Sequence, residues 1–130
     1  MRIEKYIKDD TVRFKLSMTR GDSESFIVSK NKKDPNDENK YINIPLELGD
    51  VVRFTVRESL YSDEVLIYKE IDEFLDGKAI IYINPIDTEF LNFKEYIYDV
   101  EYTNFKGEVK TIIKPSILNI TGEVTRYGRD

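Results

Sequence analysis

The chain has 130 residues, with 20 Lys or Arg against 25 Asp or Glu, a formal net charge of −5, and no His, Cys or Trp. These absences exclude four-cysteine and Cys/His zinc sites, nucleophile systems built on His or Cys, and any disulfide framework. An acidic balance also withholds the diffuse basic field that phosphate backbones attract, so nucleic acid is not an expected partner.

One domain spanning residues 1–130 is expected, large enough to bury a core without staples or cofactors. Met1 to Asp10 is too charged for a signal peptide, so the product is expected to stay in the cell that makes it. The longest apolar run, Ala79 to Ile83, is far short of the roughly 20 residues that cross a bilayer, and no membrane partner is expected.

Ile, Val, Thr, Tyr and Phe supply 49 of the 130 residues and Ala occurs once, at Ala79, which favours strands; AT-rich codon usage accounts for part of this. Alternation of apolar and polar positions is the stronger signal, because successive side chains of a strand point to opposite faces. In chain order, Val12, Phe14, Leu16 and Met18 share a face against Arg13, Lys15 and Ser17. Glu24 to Ser29 is a weaker strand. Asn31 to Lys40 holds no apolar side chain except Pro35 and reads as a long, exposed, mobile loop. Val52, Phe54 and Val56 oppose Arg53, Thr55 and Arg57, and Val65 to Ile71 follows as a weaker strand. Lys78 to Ile83 is apolar on both faces, which predicts a central strand. Asn84-Pro85 with Asp87 and Glu89 supplies an N-cap, a first-turn proline and first-turn acids, hence one short helical turn near Pro85–Leu91. Tyr96, Tyr98, Val100 and Tyr102 oppose Asp99 and Glu101. Val109, Thr111 and Ile113 oppose Lys110, and Ile117 to Ile120 closes the series. Gly21-Asp22, Gly49-Asp50, Asp76-Gly77 and Lys106-Gly107 punctuate these runs as turns. The sum is all-β: an antiparallel, immunoglobulin-like β-sandwich of about eight strands.

Several patterns invite a functional reading, and each has a plainer one. Asp34, Asn36 and Glu38 alternate as in a calcium loop, but Asn39 stands where such a loop needs Gly and Pro45 where it needs a bidentate Glu, so no metal is expected. Arg20-Gly21-Asp22 spells an adhesion tripeptide, yet Gly-Asp after a strand is ordinary turn chemistry. Asp99 and Glu101, about 7 Å apart on one strand face, could be paired carboxylates; solvent-facing acids on alternating strands are the simpler account. Tyr96, Tyr98 and Tyr102 could stack on a sugar, but they fall on the core face. Lys30, Lys32 and Lys33 are neutralised by Asp34, Asp37 and Glu38. No catalytic, cofactor-binding or metal residues are assigned, and the chain is not expected to be an enzyme.

The ordered series Gly21-Asp22, Gly49-Asp50-Val51-Val52-Arg53-Phe54-Thr55-Val56-Arg57, Leu66-Ile67-Tyr68-Lys69, Gly77 before Ala79-Ile80-Ile81-Tyr82-Ile83, Pro85 to Thr88, Tyr96-Ile97-Tyr98-Asp99-Val100 and Glu123-Val124-Thr125 resembles the amino-terminal domain of phage baseplate upper proteins, found in tailed phages and prophages of low-GC Gram-positive bacteria. The resemblance spans about residues 10 to 125. It implies a non-catalytic virion structural protein of the tail or baseplate that docks to other tail proteins, with homo-oligomers also open. The binding surface would be an edge strand or the loops at one end of the sandwich. The competing class is a carbohydrate-binding or adhesive module, which would need an exposed aromatic platform.

Overall fold

A computed structural model describes residues 2–7 and 14–122. Nine strands and one helical turn follow each other as β1 (Arg2–Ile7), β2 (Leu16–Thr19), β3 (Glu24–Asp34), β4 (Asp37–Ile44), β5 (Val51–Arg57), β6 (Ile67–Ile71), β7 (Ala79–Ile83), α1 (Pro85–Thr88), β8 (Glu95–Thr103) and β9 (Val109–Thr121). They form two sheets packed as a sandwich. One has the order β2-β9-β8-β5-β6; in the other, β3 pairs with β1, β4 and β7. Most pairings are antiparallel, but β1 with β3 and β2 with β9 run parallel.

The alternation read from the sequence is what fills the space between the sheets. On β5, Val52, Phe54 and Val56 are fully buried while the residues between them are half-buried on the outer face. Tyr96, Tyr98, Val100 and Tyr102 face them from β8. Phe26, Val28, Ala79, Ile81 and Ile83 close the core from the opposite sheet. Phe54 lies at its centre, its ring 6.2 Å from Phe26 and 5.5 Å from Tyr98. Burying each such side chain contributes about 1.5–3 kcal/mol.

Each buried tyrosine reaches a polar partner at the rim of the core, as a buried phenol requires. Tyr96 donates to the Asn92 carbonyl (3.1 Å) and accepts from the Asn92 N–H (2.8 Å). Tyr98 donates to the Phe14 carbonyl, and Tyr102 to the buried Asp50 carboxylate at 3.4 Å.

Four expectations are corrected. Asn31 to Lys40 is no loop: β3 and β4 continue through it as a hairpin turning at Pro35-Asn36. Lys30 pairs with Ile7 on one side and Ile44 on the other, so β4 lies on the same side of β3 as β7 and extends the sheet beyond β7 as a two-stranded arm. Such a ribbon carries no burial alternation, which is why its polar sequence resembles a loop. Second, Lys78 to Ile83 is not central; among the described residues β7 has only β3 as a ladder neighbour. Third, Val109–Ile113 and Ile117–Ile120 are one strand. Tyr98 pairs with Ser116 and Val100 with Ile113, so Lys114 and Pro115 together oppose Asp99 in a bulge, a place where a proline's missing N–H costs no ladder bond. Fourth, a further irregularity at Ile112 shifts the phase of β9, burying both Ile112 and Ile113 and leaving Val109 60% exposed, instead of placing Val109, Thr111 and Ile113 on one core face. Strand β1 was not expected at all. Val12, Arg13 and Glu123-Val124-Thr125 lie outside the described residues.

Candidate functional site

The outer face of the five-stranded sheet is a polar lattice. Arg53 on β5 binds Glu70 of β6 through Nε (3.3 Å) and donates from Nη1 to Thr103 of β8 (2.7 Å). Arg57, two steps along the same face past Thr55, donates to the carbonyls of Ser62 (3.1 Å) and Asp63 (2.7 Å) and so pins the 58–66 loop. Beside it the β9 bulge opens a shallow groove of about 160 Å³ lined by Thr55, Arg57, Leu60, Ile97, Asp99 and Pro115. The cause is local: Asp99 has no single residue facing it on β9, so the surface dips there.

Asp99 is therefore half-buried. Burial holds its carboxyl above the ordinary carboxylate range, Glu101 adds to the rise, and Arg57 opposes it. Glu101 does not line the groove, so the two acids considered together in the sequence do not converge on it. With Asp99 as the one carboxylate in its lining, the groove does not hold the pair of acids that either glycosidase arrangement requires.

The Arg20-Gly21-Asp22 tripeptide is a turn fastened to the body of the protein. Gly21 (φ +83°) donates its N–H to the buried Thr88 Oγ1 at 2.8 Å, while the Arg20 guanidinium reaches the Leu91 carbonyl (3.3 Å) and lies 4.2 Å over the Phe93 ring. Its arginine is engaged inward. Asp34 and Asp37 spend carboxylate oxygens on the N–H groups of Asn36 (2.9 Å) and Asn39 (3.0 Å), capping the β3–β4 turn. The Tyr96, Tyr98 and Tyr102 stripe is 9% exposed or less and offers no platform to a ligand.

Edge strands and the loops at both ends remain open among the described residues: one end displays Leu48 and Phe105 on neighbouring loops, and the other is the end that carries α1. At that end three loops are tied together: residues 20–21 to α1 and the 91–93 segment as above, and the 58–66 loop to the 89–94 segment through the Lys94–Glu58 ion pair. The short helix is fixed there because the Asp87 carboxylate accepts the Asn84 N–H (2.7 Å) and pairs with Lys69 (2.8 Å). These loops display Leu60 (63% exposed), Tyr61 (93%), Ile86 (68%) and Phe90 (87%). Large apolar side chains gathered on rigidly held loops mark an interaction surface better than singly scattered ones. This surface carries no signal in the chain order, because nothing there shows that the two loops share an end.

No family model matches the chain, and no curated protein matches it. Among solved structures, the N-terminal domain of phage TP901-1 ORF48 is similar, with 10% sequence identity and a TM-score of 0.48, over 93% of this chain and 98% of that one.

Proposed function

We propose that this chain is a non-catalytic structural part of a phage or prophage tail baseplate, located in the virion tail, where it docks to other virion proteins. The observation that carries the reading is the match between the motif series and the folded elements. Gly21-Asp22 is the turn before β3, Gly49–Arg57 a turn plus β5, Leu66–Lys69 the start of β6, Gly77 and Ala79–Ile83 a turn plus β7, Pro85–Thr88 is α1 itself, and Tyr96–Val100 lies in β8. The members of the series thus coincide with turns and elements that build the sandwich, which is what an architecture shared with that family requires.

The loop end with Leu60, Tyr61, Ile86 and Phe90 is the docking surface in this reading. The buried tyrosine stripe speaks against the carbohydrate-binding alternative. The test is affinity capture of the tagged chain from induced lysates of a lysogen carrying the gene. Tail proteins in fixed stoichiometry are expected, and their loss from a Tyr61→Asp/Phe90→Asp double variant that still folds. Absence of tail proteins, heat released on titration with cell-wall glycans, or a gene locus remote from tail genes would overturn the proposal.

A further inference from the structure

Edge strands are a hazard that proteins ordinarily blunt with charge, proline or a covering segment. Among the described residues, strand β7, Ala79-Ile80-Ile81-Tyr82-Ile83, carries neither charge nor proline, and β6 of the other sheet passes close to it without pairing. Strand β3 pairs with one side, and no ladder forms on the other among the described residues. Ala79, Ile81 and Ile83 point into the core, while Ile80 and Tyr82 (59% exposed) point outward. Before it, Leu75 and Lys78 are joined by reciprocal 3.0 Å hydrogen bonds across the Asp76-Gly77 turn, and the chain behind them comes from that same β6 of the other sheet. A surface groove of about 250 Å³ stays open there, lined by Glu73, Phe74, Leu75, Ile80 and Tyr82.

Charge selects the occupant. The groove wall carries Glu73, with the exposed Asp72 and Asp76 beside it in the chain, and Glu89 follows the far end of β7. Lys69 is already paired with Asp87, and Lys78, directly before β7, offsets only part of this acidic charge. A second copy would bring the same acids against these in a chain of net charge −5, which disfavours self-pairing. The geometry points to strand addition along β7 by an extended segment of another protein, apolar and β-branched at its centre and carrying Lys or Arg at its ends. Main-chain hydrogen bonds would supply affinity, and the acidic margin the choice of partner. This inference stands whether or not the protein belongs to a phage tail.

The test is an NMR titration of the whole chain with the peptide acetyl-KKVTITVKK-amide and with its twin in which Glu replaces every Lys. The basic peptide is expected to bind at least tenfold more tightly, with shift changes and slowed amide exchange centred on residues 79–83. Asp72→Lys/Glu73→Lys, at exposed positions, should erase the preference. Tyr82→Lys should weaken the basic peptide tenfold without changing Tm. Failure of the basic peptide to bind, equal binding of the twins, shifts mapping away from β7, or a dimer in sedimentation that Tyr82→Lys dissociates would each overturn the inference. The comparison of the twins uses the unmodified protein, so it decides even if a variant does not fold.

Discussion

Tyr98 packs its ring against Phe54 and sends its hydroxyl to the Phe14 carbonyl, joining β8 to the segment that leads into β2. Replacing it with Phe keeps the ring and removes that hydrogen bond, a loss expected at about 1–2 kcal/mol in chemical denaturation. Burial also raises the phenol above its ordinary value of 10.0. Because the unfolded chain gives up this proton first, stability should be full below about pH 10 and fall as pH rises beyond it. The Tyr98→Phe variant should therefore lose less Tm than the parent between pH 9 and 11. Its neighbour Asp99 gives the matching acid-side case. Its carboxyl is held above the ordinary range by burial first and by Glu101 second, so the fold disfavours the charged form. Asp99→Asn should raise Tm at neutral pH, and the gain should shrink as pH falls below the ordinary carboxylate range, where both states are protonated.

At the scale of elements, glycines of similar backbone conformation differ in what surrounds them. Gly77 (φ +73°) sits in the turn before β7, and a Cβ there would lie 2.8 Å from the Pro45 Cβ; at Gly107 (φ +83°) it would meet nothing within 4 Å. Gly77→Ala is expected to cost well over about 1 kcal/mol and Gly107→Ala distinctly less, measured side by side in urea. Among the described side chains of the β3–β4 arm, none belongs to the hydrophobic core. Shortening it by replacing residues 34–40 with Asn-Gly, which joins the register partners Lys33 and Tyr41, should leave stability within about 1 kcal/mol of the parent.

The same elements explain what could be read in advance. The strands with one wet and one dry face, β5 and β8 above all, were legible because burial imposes period two on their sequences. So were α1, from its cap and proline, and the turns at Gly49, Gly77 and Gly107. The polar arm was illegible because a ribbon outside the core puts no constraint on its alternation. The unity of β9 was hidden because Pro115 signals a break in sequence and sits in a bulge in space. The edge position of β7 was misread because apolar residues on both faces usually mean cover on both sides. Of the candidate surface, the acids on β8 could be placed but not the groove beside Asp99, which depends on a register shift in another strand.

At the scale of the molecule, β9 lies between β8 and β2, pairing Leu118 with Leu16 and Ile120 with Met18. Those four side chains are 4% exposed or less. Deleting everything from residue 114 onward should remove the only ladder partner β2 has among the described strands and abolish cooperative unfolding, seen as loss of the near-ultraviolet tyrosine signal. Pairings this distant in sequence also predict refolding on the millisecond-to-second scale, checked by stopped-flow tyrosine fluorescence.

That strand order has a further consequence during synthesis. The strand that completes the five-stranded sheet is the last of the nine to leave the ribosome, and it must insert between two strands already made. Until then the nascent chain holds the dry faces of β2, β5 and β8 without closure. A translational stall between β8 and β9 would leave a half-built product for proteases and chaperones to contend for, whereas one before β5 would leave little to rescue.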